Sequence, residues 1–552
     1  MGAVEQSPIR INVALDSPED WAPVRWWKGP GDQYDVQPSV TTRREACAPT
    51  ISLASLSGQN GFFATVCVAP SRLVAAVDRI RSIPLFYAEA ARQLFVSDDP
   101  YWIQERLGGP SLDTAAAVEF LLAGYVTGTQ TLDSRVRQLQ AGEALEVTRE
   151  GAATAVVTHR YYRFVHEDPL ETGEDELLER LDDATMRSME RLAHVAGGRQ
   201  IAIALSGGLD SRLIAMSLKR LGYPNLLAYS YGLPGNAETA VSREVAAQLG
   251  IPWRFVEYSK EKWHALTQTE AWTQYTKLGE GMVSVAHLQD WPAVMEMTHT
   301  GMVAEDAVFC PGHSADFVAG SHLPPALVRK TGHCLEEVVR TIYGDHYCLG
   351  TLGFAQSIVP GGRQVSAAAV AARIRATLAD LSAATADQAA NAYEYWDWQE
   401  RQAKFICNSL RVYEYFGHEW WTPFWDTEFT RFWQTVPLEF RIGKRLYDRY
   451  VLATQRSTGM PTSASDRKPV AHLPWMRSAA RVTLSTLGLL EFSRRTRKIA
   501  RSRHIGRTID DHPLAWYGLS ERPELQRLWA AGANVANINS VLAVRQVERA
   551  VS

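Results

Sequence analysis

The stretch Ile201-Ala-Ile-Ala-Leu-Ser-Gly-Gly-Leu-Asp-Ser211 constrains this chain more than any other. Five apolar residues, Ile201 to Leu205, read as a buried parallel strand. Ser206-Gly207-Gly208 is a turn of small residues, and Asp210 and Ser211 open a helical pattern that runs through Leu218. A strand, a tight turn and a helix N-terminus together place free N–H groups and a positive dipole end around an anion. The two glycines let the backbone approach phosphate closely. Asp210 adds a carboxylate able to hold Mg²⁺ against that phosphate. The segment has neither the Lys-Ser/Thr ending of the Walker loop nor a G-x-G-x-x-G pattern.

At 552 residues the chain is too long for one core, so two domains are expected. Its 46% hydrophobic and 21% charged content is that of an ordinary globular protein. A net charge of −4 gives no reason to expect nucleic acid as the main partner. The six cysteines are scattered without a C-x-x-C pair, which argues against zinc or a disulfide framework and for a reducing cytoplasmic setting. No signal pattern opens the chain, and no apolar run approaches the roughly 20 residues of a membrane span.

Residues 1 to about 165 read as short β-type runs broken by turns, such as 61–68, 73–77 and 93–97, with one helical stretch at 114–123. That pattern predicts an α+β sheet domain. An acidic linker with Pro and Gly, 166–176, marks the boundary to a second domain over 175–552. There, strands at 226–231 and 253–258 alternate with helices, which predicts a doubly wound parallel sheet. The Ala-rich stretch Ser366 to Ala386 reads as a helix, and 385–460 as largely helical.

Ser206-Gly-Gly-Leu-Asp-Ser211 resembles the PP-loop of ATP pyrophosphatases, and two further blocks extend the resemblance to the asparagine synthetase family. Pro311-Gly-His-Ser-Ala-Asp-Phe-Val-Ala-Gly320 is similar to the family's Ser-Gly-Glu-Gly-Ser-Asp-Glu-x-x-Gly. Gly417-His-Glu-Trp-Trp-Thr-Pro-Phe-Trp-Asp426 resembles its Glu-x-Arg-x-Pro-x-x-Asp, with Glu419, Pro423 and Asp426 in register and Trp421 replacing the Arg. The resemblance implies an N-terminal glutaminase-like (Ntn) domain joined to a PP-loop synthetase domain that uses ATP and Mg²⁺. It implies Mg²⁺ on Asp210 and Asp316, and ATP contacts from Leu205, Ser206, Gly207, Gly208, Asp210, Ser211, Gly312 and the strand end Tyr229, Ser230, Tyr231, Gly232. Lys444, in Arg441-Ile-Gly-Lys-Arg-Leu-Tyr447, matches the family's charge-neutralising lysine, with Arg445 and Arg449 as alternatives.

Two departures stand out. The family's glutaminase nucleophile is a Cys at the mature N-terminus, whereas Met1 here is followed by Gly2 and the first cysteine is Cys47. Asp78-Arg-Ile-Arg-Ser-Ile-Pro-Leu-Phe-Tyr87 still resembles the family's Asp-x-x-Gly-x-x-Pro-Leu-Tyr-Tyr, with Arg81 for Gly, and Leu139-Gln-Ala-Gly-Glu-Ala-Leu145 resembles its Leu-x-Pro-Gly-x-x-Leu turn. The expectation is a glutaminase-like fold without glutamine chemistry, and with Cys67 as a core residue. The second departure is His313 where the family has Glu: a general base near neutral pH, a ligand for an anionic group, or a packing residue. His322 and the run 286–291, with His287, are expected to shape the same pocket.

The implied activity is an ATP-dependent, AMP-forming ligase joining a small-molecule or peptide carboxylate to ammonia or an amine. The amine comes free, on a substrate, or from a donor protein, in natural-product or surface-polysaccharide biosynthesis. Intramolecular cyclisation (as in β-lactam synthetases or lasso-peptide cyclases), PP-loop tRNA modification and a non-catalytic scaffold are the alternatives. The basic run Ser493 to Arg503, after the apolar stretch Val482 to Phe492, reads as a solvated face or subunit contact, compatible with a homodimer. A dock for an acidic carrier protein or an anionic membrane surface is its other reading.

Overall fold

The computed structural model describes residues 11–15, 24–29, 41–46, 52–90, 93–150, 153–328, 332–459 and 512–551. Gly2, Cys47, Val482 to Phe492 and Ser493 to Arg503 lie outside the described residues.

Among the described residues the N-terminal half holds ten strands: β1 (Asn12–Leu15), β2 (Val24–Gly29), β3 (Thr41–Ala46), β4 (Ala64–Ala69), β5 (Arg72–Val77), β6 (Phe86–Ala90), β7 (Gln93–Ser97), β8 (Arg137–Gln138), β9 (Glu143–Glu150) and β10 (Ala153–Arg160). They form two antiparallel sheets, ordered β1-β7-β6-β8 and β10-β9-β5-β4-β2-β3. Val66, Leu73, Ala75 and Val77 of the larger sheet share one apolar cluster with Val13, Leu94 and Val96 of the smaller, so the sheets bury one face of each against the other. Cys67 points to the other face and is buried there with Phe63, Val74 and Ala144.

The C-terminal half is built on a five-stranded parallel sheet: β11 (Ile201–Ala204), β12 (Leu226–Gly232), β13 (Trp253–Glu257), β14 (Val308–Cys310) and β15 (Glu419–Trp420). The order β13-β12-β11-β14-β15 reverses direction at β11. The chain steps outward from β11 to β12 and β13, then returns across the sheet to β14. The C-terminal ends of β11 and β14 are therefore neighbours at a topological switch point, where open α/β sheets form crevices. Both motif loops, 206–211 and 311–316, leave from those two ends.

One helical reading needs correction, and the largely helical region after 385 holds with one short interruption. The Ala-rich stretch is not one helix: it stops at Thr377, and a new helix, Ala386–Trp396, starts behind a capping box of Thr385 and Gln388. The region after 385 is interrupted by β15, two residues that pair with Val308 and Phe309 and are too short to show a period. Downstream of Trp396 the helix widens into a π-helix over Asp397–Ile406, whose Asp397, Gln399, Glu400, Gln402 and Lys404 side chains are all buried. The helix Thr114–Ala123, which the sequence places with the first half, is buried in the apolar core of the second together with Phe62, Ile80 and Phe164.

Candidate active site

The loop after β11 is organised by its own hydroxyls. Ser206 N–H donates to Ser211 Oγ at 3.0 Å, and Gly208 N–H donates to Ser206 Oγ at 3.1 Å. From beneath, the buried Arg212 donates to Gly207 O at 3.2 Å and to Gln455 Oε1 at 2.9 Å. The helix Leu209–Arg220 begins at Gly208 with no side-chain cap. Its first-turn N–H groups thus keep their capacity for an anion, which a helix start would otherwise give to a Ser or Asp cap.

The 311–320 block closes on this loop. A Cβ at Gly312 would lie 2.7 Å from Ser211 N, so only glycine lets the two loops approach this far. At the other end of the block Gly320, at φ +89°, passes so close to Arg441 O that a Cβ there would lie 2.7 Å away. That second approach brings the Lys444 segment alongside. Between the two contacts, Asp316 N–H reaches Asp210 Oδ2 at 3.3 Å.

The carboxylates of Asp210 and Asp316 share one spot. Burial and the Asp316 charge push Asp210 up to about 7, while Lys444 and the Tyr447 hydroxyl, which donates to Asp210 Oδ1 at 2.9 Å, pull it down. A buried carboxylate raised by a second carboxylate charge fits a divalent cation, whose own charge offsets that repulsion. Among the described residues no third His, Cys, Asp or Glu completes a metal cluster. Mg²⁺ takes one or two protein carboxylates and its other ligands from phosphate and water, so Asp210 and Asp316 could hold it.

Lys444 stands at φ +51° after Gly443 at φ +64°, a left-handed pair that turns its side chain back over the start of helix Arg445–Ser457. Its ammonium lies 3.3 Å from Asp448 Oδ1, and its charge is felt at Asp210. The two alternatives point elsewhere: Arg445 and Arg449 pair with Glu174 and Asp175 at the start of helix Glu174–Ala196.

His313 is brought together with His287. The rings meet edge to face with centroids 6.3 Å apart, and Phe405 packs on His287 at 5.5 Å. His313 Nε2 is 3.0 Å from Ser409 Oγ, and His287 Nδ1 is buried without a hydrogen-bond partner among the described residues. Burial lowers His313, against the charges of Asp290 and Asp316, and pushes His287 down to about 4. Both imidazoles are neutral near pH 7 on these shifts. His322 Nε2 lies 3.8 Å from Asp316 Oδ2, and its Nδ1 donates to the buried Asp397 at 2.6 Å. Burial works against a charged His322, but Asp397 outweighs it and raises the imidazole.

Not every expected residue faces this space. Leu205 is buried, and Tyr229 has no exposed surface; its ring packs on Phe309 and its hydroxyl lies 3.4 Å from that of Tyr413. Both side chains are spent on packing, because apolar strand residues at the centre of the sheet are consumed by the core. Tyr231 hydrogen-bonds Asp290 and stacks on Tyr258, Ser230 bonds Ser242 at 3.2 Å, and Gly232 lies under Pro513 O. Glu419 and Asp426 are structural here: Glu419 pairs with Arg199 at 2.8 Å, and Asp426 caps helix Thr427–Gln434 and pairs with Arg191 at 2.6 Å. Trp421 packs on Phe62 of the N-terminal half. Tyr447, Ser409 and Asp397 were not singled out from the sequence. Tyr447 stands three residues after Lys444, but the other two carry no local signal.

Residues 176–472 match the asparagine synthase family model, more than half of the chain. This protein belongs to the asparagine synthase family. A 54-residue stretch is 48% identical to a probable asparagine synthetase (glutamine-hydrolysing) of Acanthamoeba polyphaga mimivirus, and spans about 10% of each protein's length. Solved structures with a partial likeness to the chain include two NAD synthetases. The NH3-dependent NAD synthetase of Campylobacter jejuni is 15% identical over 25% of this chain and 60% of that one, with a TM-score of 0.19. The NAD+ synthetase of Burkholderia pseudomallei is 19% identical over 28% and 68%, with a TM-score of 0.18.

Proposed function

We propose that this protein is an ATP-dependent ligase that activates a carboxylate as its adenylate and transfers the acyl group to an amine. The observation that carries the reading is the meeting of an uncapped, glycine-lined helix N-terminus with the Asp210–Asp316 carboxylates and the Lys444 ammonium at the switch point of a parallel sheet. Family membership supports the same chemistry.

In this reading Ser206, Gly207, Gly208 and Ser211 hold the pyrophosphate end of ATP. Asp210 and Asp316 would hold Mg²⁺, which neutralises phosphate charge when bound. A substrate carboxylate oxygen attacks the α-phosphorus, and the bond to pyrophosphate breaks. Lys444 stabilises the negative charge that develops there. The incoming amine then attacks the acyl carbon and AMP leaves. His313, neutral and held by Ser409, accepts the proton the amine sheds. Biosynthesis of a natural product or surface polysaccharide remains the proposed setting, with the amine supplied free, on a substrate or by a donor protein.

The test is pyrophosphate-for-ATP exchange across a panel of carboxylates, repeated with Asp210→Ala. Exchange with at least one carboxylate, abolished in the variant, is the expected result. Exchange undiminished in Asp210→Ala would overturn the assignment.

A further inference from the structure

A cavity of about 610 Å³, separate from the Asp210–Asp316 site, lies where the two halves meet. Its walls come from helix Pro100–Arg106 and the 110–112 and 132–133 turns of the first half, from helix Glu270–Glu280, and from helix Ile538–Val551. The volume is within the range of small-ligand sites, which favour junctions of this kind.

Four features show what it is built to take. Gln546 is 4% exposed, and neither its carboxamide nitrogen nor its oxygen has a hydrogen-bond partner among the described residues. A buried carboxamide left this way is costly, and its natural complement is a group that offers both an acceptor and a donor, as a peptide unit does. Lys277 has no carboxylate partner among the described residues; its ammonium lies 4.9 Å from the Tyr101 ring centroid. The cavity's other basic group, Arg549, is paired with Glu280, so Lys277 is the cation left for an anionic ligand group. Trp272 and Leu112 supply apolar wall. Met282, also in the wall, is held at φ +57°, a conformation that an unbranched non-glycine residue adopts only under constraint and that gathers at ligand sites.

We propose that this cavity is a second binding site, for a peptide-like carboxylate of two or three residues: its carboxylate on Lys277, an amide on Gln546, and apolar side chains against Trp272 and Leu112. The proposal does not depend on the ligase reading and stands or falls separately from it. Because the ligand would touch both halves at once, its binding stabilises the full chain.

The test is isothermal titration of the full-length protein, with ATP present to fill the nucleotide site, using acetyl-leucyl-leucine and its C-terminal amide as probes. Saturable one-to-one binding of the acid is expected, with at least tenfold weaker binding of the amide. Gln546→Leu and Lys277→Met should each weaken the acid at least tenfold while their melting temperatures without probe stay close to that of the parent. Lys277→Met alone should bring acid and amide to equal affinity, which a merely structural lysine would not do. No saturable binding to the parent protein, or binding that neither variant changes, overturns the proposal.

Discussion

At the scale of single residues, three adjacent cations illustrate how position separates equivalent chemistry. Lys444, Arg445 and Arg449 lie within six residues, yet of the three Lys444 is the one whose charge is felt at Asp210. The two arginines form exposed pairs with Glu174 and Asp175, which contribute little in water. We therefore expect Lys444→Ala to slow pyrophosphate exchange by about 10²–10³-fold, the usual cost of losing one electrostatic stabiliser. Arg445→Ala should change it less than threefold or so. Equal losses in the two variants would remove Lys444 from its role. Arg81 shows the same dependence on position. It stands where the family has Gly, and the structure holds it at φ +53°, the left-handed region that favours glycine. Its side chain turns inward and donates to Leu139 O at 2.9 Å, a contact glycine cannot make.

Elements bring the blocks together. Gly312 seats the loop after β14 on the helix that follows β11, and a methyl group there would meet the Ser211 backbone rather than a yielding side chain. Gly312→Ala should raise the ATP concentration needed for half-maximal exchange by about tenfold or more, while leaving the fold's circular dichroism intact. An unchanged ATP dependence would show that the close approach is dispensable. The π-helix Asp397–Ile406 is the second such element, and such bulges tend to mark functional positions. One side reaches the site through Asp397 to His322 and Gln402 to Ser314; the other reaches the N-terminal half through Lys404, which donates to Val126 O and Gly128 O. Lys404 Nζ is 2.5 Å from Glu400 Oε2, with both side chains fully buried. Removing one partner strands a buried charge, so Lys404→Met should cost about 3–5 kcal/mol in denaturant titrations. The Glu400→Gln/Lys404→Met pair should recover much of that loss, and a double variant no better than the single would refute the pairing.

Across the whole molecule, burial sets how stability responds to acid. His287, His346 and His418 are each pushed down to about 4 by burial. In the unfolded chain they take up a proton near pH 6.5. Folded molecules thus bind fewer protons between those values, and stability that is complete above about 6.5 is lost as pH falls towards about 4. Each histidine accounts for at most about 3 kcal/mol of that loss. His418→Gln should flatten the fall in melting temperature between pH 7 and pH 4.5, and an unaltered acid limb would contradict this. The same distinction between local and long-range causes divides what was legible beforehand. The sequence alone determined the strand–turn–helix of 201–211, the parallel sheet that follows and the family, because those depend on short-range period, turn chemistry and spacing. Only the tertiary structure decided that Asp316 and Lys444 converge on Asp210, that Tyr229 is spent on the core, that His313 faces His287, and that helix Thr114–Ala123 belongs to the other half's core. Each of those is a contact between segments far apart in the chain, arranged by the order of strands in the sheet and by two glycines close enough to let loops touch, and no local pattern encodes it.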